Sequence, residues 1–116
     1  MYSNLNIGCV VYTKTAQGID AEWCYRRNDQ IEKGTGVGID VSNNVNERFE
    51  GQYDITYVGE QGQKSPTLRL DISQKEGVFY LRWLLDNRTT DIGVGMLVDG
   101  KLIAGYAEAP ESPPTH

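Results

Sequence analysis

The sequence predicts an all-β protein, most economically an eight-stranded antiparallel up-and-down meander barrel, with a two-sheet β-sandwich as the alternative. Turn signals recur at the spacing of about 8–12 residues that is typical of all-β domains. Several segments alternate apolar and polar residues, which indicates strands with one buried face. No long segment repeats its apolar residues with the 3.6-residue period of a helix.

Eight strands account for these signals. They are predicted at residues 4–13, 18–27, 30–40, 47–58, 65–74, 77–86, 90–98 and 101–108. Alternation is clearest in the second, fourth and sixth strands, where the predicted inward residues are Ile19, Ala21, Trp23 and Tyr25; Phe49, Tyr53, Ile55 and Tyr57; and Phe79, Leu81 and Trp83. The Asp-Gly pair at 99–100 predicts a two-residue hairpin.

An internal repeat supports the barrel. The matched segments are GIDAEW (18–23) with GVFYLRW (77–83), GTGVGI (34–39) with DIGVGM (91–96), and FEGQY (49–53) with LIAGY (102–106). Strands 1–4 and 5–8 therefore resemble two copies of one four-stranded meander. The glycines at 36, 38, 93 and 95 are expected to let two strands bend. They do not form a dinucleotide-binding fingerprint, which needs a following helix.

The first hairpin allows two registers. One pairs Val11 with Ala21 and Cys9 with Trp23, so that apolar side chains oppose each other. The other pairs Cys9 with Cys24. The first register is preferred, and it predicts that Cys9 points into the core, that Cys24 points outward and that no disulfide forms. Free thiols suit a reducing compartment.

Composition narrows the function. The 116 residues fit one domain at 1–108, followed by a proline-rich tail at 109–116 that is expected to be disordered. A net charge of −5 disfavours nucleic-acid binding. The absence of a long apolar segment argues against a membrane span, and the absence of a signal-like start predicts a cytoplasmic location if the chain is complete.

Catalysis and metal binding are not expected. The single histidine is His116, so a histidine-centred triad and a histidine-rich zinc site lack their key residue. Two cysteines are too few for a structural zinc site, and no cofactor motif is present. The function predicted is therefore non-enzymatic. The alternative is a catalytic site made of tyrosine, aspartate and arginine side chains, since a general acid need not be histidine.

The segment from FEGQYDITY through LRLDISQKEGVFYLRW to DIGVGMLVDGKLIAGY (residues 49–106) resembles a group of small bacterial β-proteins, some described as fibronectin-binding-like. The resemblance implies a calycin-type barrel, the architecture shared by lipocalins, avidins and fatty-acid-binding proteins. It brings no catalytic residues and no cofactor. An eight-stranded barrel has room for its own side chains or for one small ligand.

The aromatic residues of the predicted inner faces are the candidate ligand site. The residues proposed to line it are Trp23, Tyr25, Tyr53, Trp83 and Tyr106, with Arg27 and Arg88 at the rim. They could bind a small, partly apolar molecule, or they could simply fill the core. The alternative function is a structural or interaction module that oligomerises through its outer surface, with Leu68, Leu70, Ile72 and Leu84 as the candidate interface if they face solvent.

Overall fold

The computed structural model describes residues 6–42 and 48–110, and those residues form eight antiparallel strands that close into one barrel in sequential order. The strands are β1 (Asn6–Lys14), β2 (Gly18–Arg27), β3 (Gln30–Asp40), β4 (Gly51–Gly59), β5 (Leu68–Lys75), β6 (Val78–Leu85), β7 (Arg88–Val98) and β8 (Lys101–Glu108). The predicted meander barrel is thereby confirmed over the sandwich. No helix in the described residues is long and apolar enough to cross a bilayer.

Closure is made by β8, which pairs back onto β1 from Ile7↔Ala107 to Tyr12↔Leu102. This ladder gives partners to the two strands that would otherwise be sheet edges. The β4–β5 ladder is short, running only from Gly51↔Ile72 to Ile55↔Leu68. The barrel wall is therefore least complete where the 60–67 loop connects these two strands.

Tight turns join most neighbouring strands. The Asp99–Gly100 hairpin forms as predicted, with φ of 52° and 80°. Glu76–Gly77 (56° and 82°) and Asp86–Asn87 (51° and 65°) have the same left-handed geometry. Two successive positive φ angles define the type I′ turn, whose twist matches that of the flanking strands. The sequential order of strands thus follows from local turn chemistry.

The interior is solid at the end where β1–β2, β3–β4, β5–β6 and β7–β8 connect. Its most completely buried large side chains are Tyr12, Ile19, Tyr53, Ile55, Leu70, Leu102 and Val10. Phe49 precedes β4 rather than lying within it, and is buried across this end at 4% exposure. One half of the barrel is consequently core and cannot hold a ligand.

The outer-surface interface predicted from leucines is not supported. Leu70 and Ile72 are 0% and 4% exposed because β5 directs both into the barrel. Leu68 packs partly buried against the core, and Leu84 is half-buried. The apolar character of Leu68, Leu70 and Ile72 therefore reflects the core.

The internal repeat is visible in the pairing. Trp23 and Trp83 occupy equivalent places in β2 and β6, opposite Gly34 and Asp91 respectively. Gly36 pairs with Tyr57 as Gly93 pairs with Tyr106. The structural counterpart of Tyr106 is therefore Tyr57, four residues beyond the Tyr53 that the sequence match indicates.

The preferred register of the first hairpin is wrong. Cys9 pairs with Cys24, and Tyr12, rather than Val11, pairs with Ala21. Both cysteines are exposed and both are free thiols. The inward residues of β1 include Val10 and Tyr12, because apolar side chains occur at both parities of this strand and the alternation could not distinguish them.

This register predicts that the two native cysteines, Cys9 and Cys24, can be joined by a disulfide without any substitution. A low-molecular-weight disulfide such as oxidised glutathione is expected to join Cys9 to Cys24, with two protons and two electrons leaving the thiols and two glutathione thiols forming. Directly opposed antiparallel residues have Cα atoms about 4.5–5.5 Å apart, within the range of disulfides. Non-reducing intact mass should show a monomer lighter by two hydrogens.

A Cys9→Ser variant is the control and should form only mixed or intermolecular disulfides. If the wild type did the same, the observed register would be contradicted, because a one-residue slip places the two thiols on opposite faces of the barrel wall.

Candidate functional site

The other half of the barrel is open. A cavity of about 950 Å³ lies between the ends of the strands at the β2–β3, β4–β5 and β6–β7 connections. Its wall includes Trp23, Tyr25, Tyr57, Trp83 and Tyr106. The volume lies in the range of about 300–1,000 Å³ that small-molecule sites occupy.

Alternate strands build this wall. The five aromatic side chains come from β2, β4, β6 and β8, whereas β1, β3 and β7 contribute glycines beside them. A Cβ atom at Gly34 would lie 2.8 Å from Trp23 Cζ2, and one at Gly36 would lie 2.8 Å from Tyr57 Cδ1. Neither glycine has a positive φ. Gly36 therefore leaves room for the Tyr57 ring, whereas Gly34 leaves room first for the Val58 carbonyl oxygen of the neighbouring strand and then for the Trp23 ring.

Gly8 shows the same arrangement most clearly. It pairs with Tyr25 on one side and with Tyr106 on the other, and a Cβ atom there would overlap the Tyr106 ring. With no side chain between them, the two tyrosine rings stack across β1, with centroids 5.6 Å apart and an interplanar angle of 15°. The ring of Tyr106 also packs against that of Trp83, with centroids 5.3 Å apart, so the three rings form one continuous wall.

The floor of the cavity is a small polar network. Trp83 Nε1 donates to the Tyr57 hydroxyl at 2.7 Å, and that hydroxyl lies 2.6 Å from the hydroxyl of Tyr12. Burial raises the pKa of Tyr57 and that of Tyr12. Both phenols are therefore neutral at physiological pH and tie the aromatic wall to the solid core below.

Trp23 completes the opposite side. Its Nε1 donates to the Thr35 carbonyl at 2.8 Å, and its ring meets that of Tyr57 edge-on, with centroids 6.4 Å apart. Since its polar atom is satisfied by the barrel wall, the Trp23 ring presents apolar surface to the cavity.

Charged side chains lie above the rings. The Arg27 guanidinium sits 5.2 Å from the centre of the Tyr25 ring and 3.8 Å from the Glu32 carboxylate. Asp91 and Glu108 are cross-strand partners and both line the cavity. Burial, followed by the nearby Glu108 carboxylate, raises the pKa of Asp91, while a hydrogen bond with Thr90 and the charge of Arg27 oppose this.

The structure brings together five of the seven residues predicted for the site. Trp23, Tyr25, Trp83, Tyr106 and Arg27 all line the cavity.

Two predicted residues lie elsewhere. Tyr53 is fully buried in the closed half, where its hydroxyl donates to the Phe49 carbonyl at 2.8 Å. Arg88 is exposed at the start of β7 and is not among the residues that line the described cavity. Of the two arginines predicted at the rim, Arg27 lines the cavity and Arg88 does not.

Many of the residues that line the cavity are absent from the sequence-based prediction of the site, and they include Tyr57, Asp91 and Glu108. Alternation already placed Tyr57 inward, but it did not give its depth in the barrel. Asp91 could have been found from the repeat, since it stands where the first copy has Gly34. A carboxylate replacing a glycine beside an equivalent tryptophan is a detectable asymmetry.

Searches of protein-family models, curated proteins and solved structures find no match to this chain. The barrel architecture consequently rests on the structure itself, and the site must be interpreted from its own geometry.

Proposed function

We propose that this protein is a non-enzymatic binding protein that holds one small, partly apolar molecule in the open half of its barrel. The observation that carries the proposal is the aromatic wall of Tyr25, Tyr106 and Trp83, whose rings pack on one another and line the cavity. A barrel filled to both ends would have no such space. The calycin-like resemblance agrees with this use of the interior.

The polar groups of the cavity support binding over catalysis. The hydroxyl of Tyr57 is already engaged by hydrogen bonds with Trp83 and Tyr12. The wall therefore offers orientation and apolar contact, which are the usual components of a ligand pocket.

Tryptophan fluorescence provides the test, because both tryptophans of the sequence, Trp23 and Trp83, lie in the cavity wall. A panel of fatty acids, sterols, flat heteroaromatic compounds and sugars is expected to yield at least one compound that shifts the emission and raises the thermal midpoint. If no compound does so, and an experimental structure shows the open half filled by side chains, the proposal fails.

Removing one ring of the wall should weaken the binding of that compound. Tyr106→Leu is expected to reduce affinity about tenfold, since an aromatic contact contributes about 1.5 kcal/mol beyond area burial. Tyr80→Leu is the matched control, because Tyr80 lies on the outer face of β6 at 49% exposure. Isothermal titration should find its affinity unchanged, and equal losses in both variants would argue against the cavity.

A second candidate function is self-association through the outer wall. Ile7, Tyr80, Ile92 and Val94 are 44–53% exposed and border an apolar groove across β6, β7, β8 and β1. Arg82 and Asp71 pair at 3.0 Å beside it. In a two-fold symmetric dimer, this patch contacts the same patch of the second copy. Arg82 of each copy can then pair with Asp71 of the other.

Sedimentation at several concentrations distinguishes this function from the first. A concentration-dependent dimer that Val94→Asp disperses would support self-association, whereas a monomer throughout the range would exclude it.

A further inference from the structure

The charges that face the cavity are mainly negative. Strand alternation places Glu32, Asp91 and Glu108 inward at the open end, and the inward cation at this level is Arg27. At the entrance, Lys33 is paired with Glu60 at 3.9 Å, and Lys64 lies on the loop. The inward-facing charges are therefore three carboxylates and one guanidinium, a balance that favours a cationic ligand over an anionic one.

Two carboxylates are direct cross-strand partners of the aromatic wall, Glu32 with Tyr25 and Asp91 with Trp83. Glu32 already pairs with Arg27, which leaves Asp91 for a ligand. Asp91 is also the cross-strand partner of Glu108. It is only partly exposed, and among the described residues it forms no ion pair within 4 Å. A buried carboxylate gains from an opposite charge that arrives without much hydration.

The rings themselves already accept a cation. The Arg27 guanidinium lies over the Tyr25 ring, and Tyr25 continues through Tyr106 to Trp83. Aromatic faces attract organic cations most strongly when water is excluded. The wall ends at Trp83, beside which Asp91 supplies a full negative charge.

We propose that the cavity selects an organic cation with an apolar body, such as a quaternary or protonated amine, with Tyr25, Tyr106 and Trp83 contacting the body and Asp91 facing the charge. This inference rests on the proposed function and names the ligand class of the same cavity. Arg27 competes for the rings in the empty protein and pairs with Glu32.

The test compares two probes of nearly equal shape. Phenyltrimethylammonium carries a permanent positive charge, and tert-butylbenzene is its uncharged carbon isostere. Titration followed by tryptophan fluorescence should give an affinity for the cation at least tenfold higher, which corresponds to about 1.4 kcal/mol. Benzoate, an anion of similar size, should bind more weakly than either probe.

Two substitutions should act in opposite directions. Asp91→Asn removes the facing charge and should lower cation affinity about tenfold while leaving the isostere unaffected. Arg27→Gln removes the competing guanidinium and should raise cation affinity. Glu22→Gln is the control, since it changes net charge by the same amount on the exposed outer face of β2 and should have no effect.

The outcomes separate this inference from the proposed function. Equal binding of cation and isostere, or loss of both probes in Asp91→Asn, overturns selectivity for a cation but leaves an aromatic binding cavity. Failure of both probes, together with failure of the wider compound panel, overturns the cavity as a site.

Discussion

Between about pH 10 and pH 12, the protein is expected to lose a substantial part of its stability, at least the roughly 2 kcal/mol contributed by Tyr53. Burial, with the nearby Asp40 and Glu50 carboxylates, raises the pKa of Tyr53 to about 12. Burial also raises the pKa of Tyr12 and of Tyr57. These phenols ionise near pH 10 in the unfolded chain, so alkaline solution draws protons from the unfolded state first.

The direction follows from proton counts. Above about pH 10 the folded protein binds more protons than the unfolded chain, so the free energy of unfolding decreases as the pH rises. Below about pH 10 both states are protonated and these residues cause no change. Tyr53 alone should contribute a loss of about 2 kcal/mol at pH 12. The raised pKa values of Tyr12 and Tyr57 act in the same direction.

Urea unfolding at a series of pH values measures this loss, and tyrosinate absorbance should rise together with loss of the near-ultraviolet circular dichroism signal. Separate transitions, in which all tyrosines ionise while the fold persists, would show that these phenols are accessible to solvent.

Tyr53→Phe isolates one residue. At neutral pH the variant should be about 1 kcal/mol less stable, because the Phe49 carbonyl loses its hydrogen bond. Near pH 12 the order should reverse, since the variant has no phenol to ionise at this position. A constant difference between the two proteins across the whole pH range would contradict the burial of the Tyr53 hydroxyl.

The sequence predicted the inward faces of β2 and β4 well because nearly all of their apolar residues share one parity, and that of β6 because its largest apolar side chains do so, although Val78 and Tyr80 lie at the other parity. Ile19, Tyr53 and Phe79 all lie in the core as expected. Strand β1 offered no such contrast, since Val10 and Val11 are both apolar. The rule that apolar residues should face each other across the hairpin then favoured a register shifted by one residue. That incorrect register places Cys9 inward.

The depth of a side chain in the barrel was harder to predict than its face. Tyr53 and Tyr57 share a face of β4, yet one lies in the solid half and the other at the cavity floor. The pairing of β4 with its neighbours decides which is which, and Gly36↔Tyr57 lies across a connection that includes residues 43–47, outside the described part of the chain. Local pattern does not fix such a register.

Truncating Phe79 should cause one of the larger losses of stability among single substitutions at neutral pH. Its side chain is 2% exposed in the closed half of the barrel. Its cross-strand partner is Gly95 of β7. Because a large ring is removed from close-packed surroundings, Phe79→Ala should cost about 3–5 kcal/mol of unfolding free energy. Urea denaturation, with the slope checked for two-state behaviour, measures the loss.

Tyr80→Ala is the matched control, since the next residue of β6 points to the opposite face and is 49% exposed. A surface truncation of this kind should change stability by about 0.5 kcal/mol. Equal losses at the two positions would contradict the inward–outward alternation of β6. Because Phe79 is not among the residues lining the cavity, the folded fraction of Phe79→Ala should still bind a cavity ligand with unchanged affinity, which distinguishes the solid half from the binding half.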